Sequence, residues 1–152
     1  MSVDAVTIMD KLQSHAMSLG IFERVNLHEP KNAPGSGLSC AIWADFIGPV
    51  PSNSGLAATS AQLIFNIRIY SNMLAEPQDY IDPEVIKAVD LLMAAYSGDF
   101  ELGGSVAWID LLGQSGRQME AQAGYINQDG KMFRVMTIAL PVVLNDSWVQ
   151  NG

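Results

Sequence analysis

Residues 117–145 read RQMEAQAGYINQDGKMFRVMTIALPVVLN, and the turn at their centre, Gln128-Asp129-Gly130-Lys131, decides how the rest of the chain is read. Asp-Gly suits a type I′ turn, whose two central residues both need φ > 0. The flanking segments therefore become two long strands of one hairpin with a fixed register. Asn127 faces Met132, Tyr125 faces Arg134, Ala123 faces Met136, Ala121 faces Ile138 and Met119 faces Leu140. One face carries Met119, Ala121, Ala123, Met136, Ile138 and Leu140, with Tyr125 and Arg134 near the turn. Small residues oppose large ones there, as a helix packed on a sheet requires. The other face carries Glu120, Gln122 and Thr137, but also Ile126, Phe133, Val135 and Ala139. Neither face is purely a water face.

Working outward, residues 3–19 show a helical stripe of Val6, Ile8, Met9, Leu12, Ala16 and Leu19. Ser2 is the expected N-cap, Asp4 lies in the first turn and Gly20 is the stop. Residues 22–28 alternate weakly as a strand, and 29–37 (EPKNAPGSG) form a turn-rich loop. Leu38, Cys40, Ile42, Ala44 and Phe46 alternate as a second strand. Residues 47–60 (IGPVPSNSGLAATS) have two prolines, two glycines and no charge. Two readings are open, an arm that orders against a partner and a plain surface excursion. Residues 62–70 (QLIFNIRIY) form a third strand. Leu63, Phe65, Ile67 and Ile69 face the core, while Gln62, Asn66, Arg68 and Tyr70 face away, with Ile64 interrupting them. Residues 71–80 are a connection in which Met73, Leu74 and Tyr80 pack on the core or on a neighbour. Asp82-Pro83-Glu84 signals a second helix, with Asp82 as N-cap. Its buried stripe is Val85, Ile86, Val89, Leu92, Met93 and Tyr96, and Gly98 ends it. Residues 106–112 (VAWIDLL) are a strand, 113–116 a turn into the hairpin, Pro141 an end or edge of pairing, and 145–152 a polar tail.

The element order predicts a single α+β domain over 1–152. It has a largely antiparallel or mixed sheet of about five to six strands, with both helices on one face. That layout leaves the second face uncovered. Ile126, Phe133 and Val135 lie on it, joined by Ile64 if the faces align, so these four are the candidate subunit-interface residues. Phe133→Glu is expected to give a folded monomer that cannot assemble.

The bulk composition agrees with assembly. Charged residues are 16% of the 152, against roughly 25% in an average soluble domain. That leaves little charge to cover a monomer, although Ser, Asn, Gln and Gly also provide a neutral surface. The net charge of −8 disfavours a protein that grips phosphate backbones or anionic lipid. The single cysteine excludes an intrachain disulfide. Asp4, Asp10 and Lys11 break any apolar leader, and no stretch approaches a membrane span, so a cytosolic origin is expected.

The chemistry-bearing residues are sparse. Cys40 and His28 fall on opposite faces once Val25 and Leu27 are placed with Leu38, Cys40 and Ile42, so Cys40 reads as a small core residue. His15 lies at the edge of the first helix stripe. Two histidines and one cysteine give no metal-ligand spacing. Glu76, Asp79, Asp82 and Glu84 surround a helix start, where the dipole accounts for them. Asp99 and Glu101 follow that helix without an EF-hand spacing. Gly103-Gly104-Ser105 precedes a strand, so it is no phosphate loop. No cofactor and no enzymatic activity are expected. Arg68, Arg117 and Arg134 with Trp43, Trp108 and Trp148 are residue types enriched at interfaces. Trp148 in the polar tail is the expected anchor to a partner, whereas Trp43 and Trp108 pack on strands.

The segment GYINQDGKMFRVMTIALPVVLNDSW, residues 124–148, resembles the tail terminator proteins of long-tailed (siphovirus-type) bacteriophages. The Asp-Gly hairpin, the Lys-Met-Phe-Arg-Val step, the Leu-Pro end and the Asn-Asp stop carry the resemblance, and the element order is compatible with it. It implies a non-enzymatic virion protein, made in the host cytoplasm, that forms a hexameric homo-oligomeric ring on the head-proximal end of the tail tube. Such a ring stops tube growth and provides the head-docking surface. Its partners are the major tail tube protein, a neck or head-completion protein and the tape measure protein, with DNA passing through the lumen. On that expectation Val50, Leu56, Trp148 and Val149 are the tube- or neck-contact candidates. Another neck ring protein, and a small cytosolic α+β enzyme or ligand-binding protein, are the competing readings. The last would need an enclosed apolar pocket with converging polar groups.

Overall fold

A computed structural model describes residues 3–29, 37–50, 58–72 and 78–149. Helix α1 spans Ala5–Ser18 and α2 spans Ile81–Ser97. The strands are β1 (Arg24–Asn26), β2 (Ser39–Val50), β3 (Ala58–Asn72), β4 (Trp108–Ile109), β5 (Glu120–Gln128) and β6 (Lys131–Val149). They form one curled mixed sheet in the order β1-β2-β3-β6-β4, with β5 also on β6. The fold is α+β. The only parallel pair among the described residues is β1–β2, with Val25 beside Cys40.

The hairpin forms in the predicted register, from Gln128↔Lys131 through Tyr125↔Arg134 to Ala121↔Ile138. Asp129 and Gly130 sit at φ 54° and 75°, the two positive values the turn demands. Met119 falls just outside β5, where its N–H bonds to the Leu111 carbonyl (3.3 Å). Strand β6 does not stop at Pro141. On one edge it pairs with β3 without a break from Phe133 to Leu144, with Ile64 opposite Pro141. On the other edge β5 pairing ends at Ala139 and β4 pairing begins at Val142. The Pro141 carbonyl accepts from the Asp110 N–H (2.9 Å), so its missing donor also points to that edge, into the gap between two partner strands. A proline is tolerated mid-sheet there because no ladder bond is lost.

Both helices pack on one sheet face over a core that includes Ile8, Leu12, Phe65, Ile67, Leu92 and Ile138. The buried Tyr96 hydroxyl donates to the Leu12 carbonyl (2.9 Å) and ties α2 to α1. Several boundaries differ from expectation. Asp4 caps α1, its carboxylate accepting from the Thr7 N–H (3.1 Å) and the Thr7 hydroxyl (2.7 Å), and Val6 is exposed. Ser2 lies outside the described residues. Helix α2 starts at Ile81 out of a 3-10 turn at Gln78–Tyr80. Asp82 is therefore no cap, and its carboxylate instead accepts from Arg134 Nε (2.9 Å). Ala88 and Ile81 join the buried stripe, whereas Ile86 is exposed.

The expected strand at 106–112 shrinks to two residues, because Asp110 accepts from the Gln114 and Ser115 N–H groups (2.8 Å each) and pulls the chain into a turn. The expected arm at 47–60 is strand at both ends, and 51–57 lie outside the described residues. Residues 47–50 extend β2 and 58–60 open β3. A bulge between Ala44 and Phe46 resets the alternation, which is why the pattern seemed to end at Phe46. A Cβ at Gly48 would lie 2.6 Å from the tip of the exposed Phe46 ring, so the ring lies over the glycine and would have to swing aside for any side chain there. The expected tail is likewise strand as far as Val149.

The second sheet face is closed within the chain. Ala41, Tyr70, Phe133 and Val135 form a second buried cluster, with Trp43 and Ile126 against it. Tyr70 and Phe133 meet edge to face at 6.3 Å. Arg68 lies over the Trp43 ring (5.1 Å), and its Nε donates to the Thr137 hydroxyl (2.8 Å). Strands of 15 and 19 residues twist and curl far enough to shelter side chains on both faces.

Candidate interaction surface

The nucleophile and metal candidates resolve first. Cys40 is buried in the main core, and burial pushes its thiol up to about 12. Val25, not His28, stands opposite it, and His28 is exposed. A thiol held protonated and sheltered is inert as a nucleophile. Among the described residues no group of three or more His, Cys, Asp or Glu side chains is placed to hold a metal ion. No helix among them is long and apolar enough to cross a membrane.

His15 has a role the sequence did not announce. Its Nε2 donates to Asp99 Oδ2 (2.8 Å), and its ring meets Tyr96 edge-on at 5.7 Å. The His15 hydrogen bond, followed by the Gly103 N–H, holds the Asp99 carboxyl below its ordinary range. This pair fastens the end of α1 to the loop after α2.

A groove of about 550 Å³ opens beside β4, lined by Phe100, Glu101, Ala107, Trp108, Ile109, Asp110, Leu111, Leu112 and Gln114. Its floor is apolar. The Asp110 carboxylate is already engaged by two backbone N–H groups, so it acts as a structural acceptor of the turn. Trp108 Nε1 is buried without a hydrogen-bond partner among the described residues.

The four proposed interface residues fare differently. Phe133 is 0% exposed, and Val135 and Ile64 are also buried. They are core residues of the single chain and present no surface to a neighbour. Phe133, Val135 and Ile126 do come together, as the hairpin register required, but Ile64 lies outside their cluster. Ile126 is half-buried at its rim. Phe133→Glu would therefore place a carboxylate in a closed cluster and unfold the chain rather than release a monomer.

The contact candidates are partly brought together. Val50 is opposite Ser60, and Trp148 and Val149 are opposite Thr59 and Ala58. All three lie at one end of the sheet, on the strands flanking β3. Val50 is 1% exposed, so it supports that end from within. Leu56 lies outside the described residues, as do Met73 and Leu74. Trp148 (38% exposed) and Val149 (66%) are exposed there, and Phe46 (47%) and Ile47 (54%) are exposed farther along the sheet, opposite Ile64 and Leu63. Phe46 was missed because the alternation grouped it with the core residues Cys40 and Ile42, and Ile47 because residues from it onward read as loop. A β-branched residue directly after an alternating strand was the available signal. Near the end of β6, Asp146 takes φ 51° and the register breaks between Thr59 and Ala61. The irregularity is secured by the Asp146 N–H on the Ser60 hydroxyl (3.3 Å).

The arrangement offers exposed apolar side chains at one end of the sheet and open strand edges. Comparison with protein-family models and with curated proteins finds no match.

Proposed function

We propose that this chain is a structural virion protein, a tail terminator of a long-tailed phage. It assembles as a hexameric ring on the head-proximal end of the tail tube, stops tube growth and forms the head-joining surface. The observation that carries the reading is the exposed apolar pair Trp148 and Val149 at one end of the sheet, with Phe46 and Ile47 exposed on β2, on a chain with only 16% charged residues. Large apolar side chains left exposed on a low-charge protein support a contact role. The resemblance of residues 124–148 to tail terminators supplies the identity of the contact. Because Ile64, Phe133 and Val135 are core residues, ring and tube contacts fall instead to this sheet end. An acidic ring with net charge −8 lets DNA pass without adhering. The tube protein, a neck or head-completion protein and the tape measure protein are its proposed partners.

The test is native mass spectrometry of the chain alone and then mixed with purified tube protein, followed by electron microscopy of the mixture. A six-fold ring seated on tube ends supports the reading. A chain indifferent to tube protein that binds the head-side connector would assign it to the neck instead. Binding to neither would overturn the virion reading.

A further inference from the structure

Four of the sheet's strands end in open edges that are poor templates for pairing. Beyond β1, the outer edge of β2 carries the bulge at Ala44/Phe46 and Pro49. The free end of β6 carries Asp146 at φ 51°. Strand β1 has three residues and β4 two. Bulges, prolines and short strands are the usual guards against edge-to-edge association. Strand β5 has none of them. Its nine residues, EAQAGYINQ, pair with β6 without a register shift and contain no proline, no lysine, no arginine and one acid, Glu120, at the start. Among the described residues nothing pairs with its outer side.

We infer that β5 is a pairing edge whose occupant is β5 of a second copy of this chain, joined antiparallel about a two-fold axis at Gly124. The hairpin geometry fixes which backbone groups are offered. In a two-residue hairpin the pair beside the turn, Gln128 and Lys131, exchanges hydrogen bonds, and alternate residues then do the same. The N–H and C=O groups of Ala121, Ala123, Tyr125 and Asn127 therefore point outward. Full overlap of two nine-residue strands has one antiparallel solution, which places Gly124 opposite Gly124. In it Ala121 meets Asn127 and Ala123 meets Tyr125, and all four are outward-pointing residues. About eight backbone hydrogen bonds result. The side chains also fit. The exposed Tyr125 ring stands opposite an alanine, Ile126 stands opposite Gln122, and Glu120 meets Gln128 of the other copy rather than a like charge. This contact is isologous, whereas a closed ring needs heterologous contacts. The pairing is thus a property of the free protein, independent of the ring and of the tube-binding sheet end.

The experiment uses the full chain. Cys40 is buried, so Gly124→Cys adds one accessible thiol. A Cβ at Gly124 meets only Val135 Cγ2, at 3.7 Å, an ordinary contact. A directly opposed non-hydrogen-bonded pair brings Cα atoms to about 4.5 Å, within disulfide range. Mild oxidation should convert Gly124→Cys to a covalent dimer much faster than Gln122→Cys, whose own copy is displaced along the partner strand. Light scattering should show a dimer for the unmodified chain. Ala123→Pro removes one outward donor per copy without touching the β6 ladder, and should weaken the dimer by about ten- to a hundredfold while circular dichroism stays unchanged. A monomer at every concentration, or equal cross-linking of Gly124→Cys and Gln122→Cys, would overturn the pairing. Both readouts are made without tube protein, so they succeed or fail separately from the ring reading.

Discussion

Phe133→Ala separates a core role from an interface role for the second sheet face. Phe133 is fully buried beside Tyr70, Val135 and Ala41. Truncating a buried Phe removes its transfer free energy and leaves a cavity, at about 3–5 kcal/mol. The edge-to-face partner Tyr70, at 6.3 Å, belongs to the same loss, since an aromatic pair contributes about 0.5–1.5 kcal/mol beyond area. Total stability of a domain is about 5–15 kcal/mol, so the variant loses about a fifth or more of it. At about 2–4 °C per kcal/mol for this size, Tm should fall by about 6–20 °C. Ile126→Ala, at the half-buried rim of the same cluster, should cost less than half as much. The assay is thermal unfolding followed by circular dichroism, with oligomeric state measured on the same samples. If Phe133→Ala melts within about 2 °C of the parent and only its assembly changes, the cluster is an interface and the account of the fold given above is wrong.

Gly130→Ala tests the turn. Its φ of 75° is left-handed and no atom lies within 4 Å of the added Cβ, so the cost is purely conformational, about 1–2 kcal/mol; a chemical denaturation midpoint that does not move would refute the type I′ assignment. Asp99→Asn tests the helix-to-loop fastening. The folded-state carboxyl lies below its ordinary value, so its stabilisation is present above the unfolded value of about 3.9 and lost as pH falls through the folded one. The stability gap between parent and variant should be constant near neutrality and close in acid, and a gap that persists in acid would assign it to packing. Trp148→Ser together with Val149→Ser should leave Tm within a few degrees and abolish capture by tube protein in a pull-down; unchanged capture would remove this end of the sheet from the contact.

The hairpin was legible because a two-residue turn with a positive-φ requirement leaves one register, and the observed pairs from Gln128↔Lys131 to Ala121↔Ile138 follow from it. The two helices were legible from their stripes, with errors confined to caps. At α2 a preceding 3-10 turn, invisible in periodicity, moved the helix start two positions ahead of the Asp-Pro signal. The extent of β2 and β6 was not legible. Bulges at Ala44/Phe46 and Thr59/Ala61 break the period that pattern reading depends on, and Pro141 sits in a gap that only the tertiary arrangement creates. The site was misjudged for a related reason. A flat sheet with helices on one side leaves the other bare, but curl is a property of strand length and twist, not of alternation. Phe133, Val135 and Ile64 were placed on the correct face, yet that face proved to be interior. The His15–Asp99 pair spans 84 residues in sequence and has no local signature.

The gap at Pro141 makes β6 the common neighbour of β3, β4 and β5. Its 19 residues, 131–149, are also the last element in chain order. The longest ladder, β3 with β6, joins residues 58–72 to 133–149. Until that late strand is present, β3 has only β2 as a neighbour, and β4 and β5 have none. Folding must therefore wait for distant segments to meet, the regime of millisecond-to-second kinetics that closure of long loops imposes. A fragment cut before Lys131 has lost not an appendage but the scaffold on which its other strands condense.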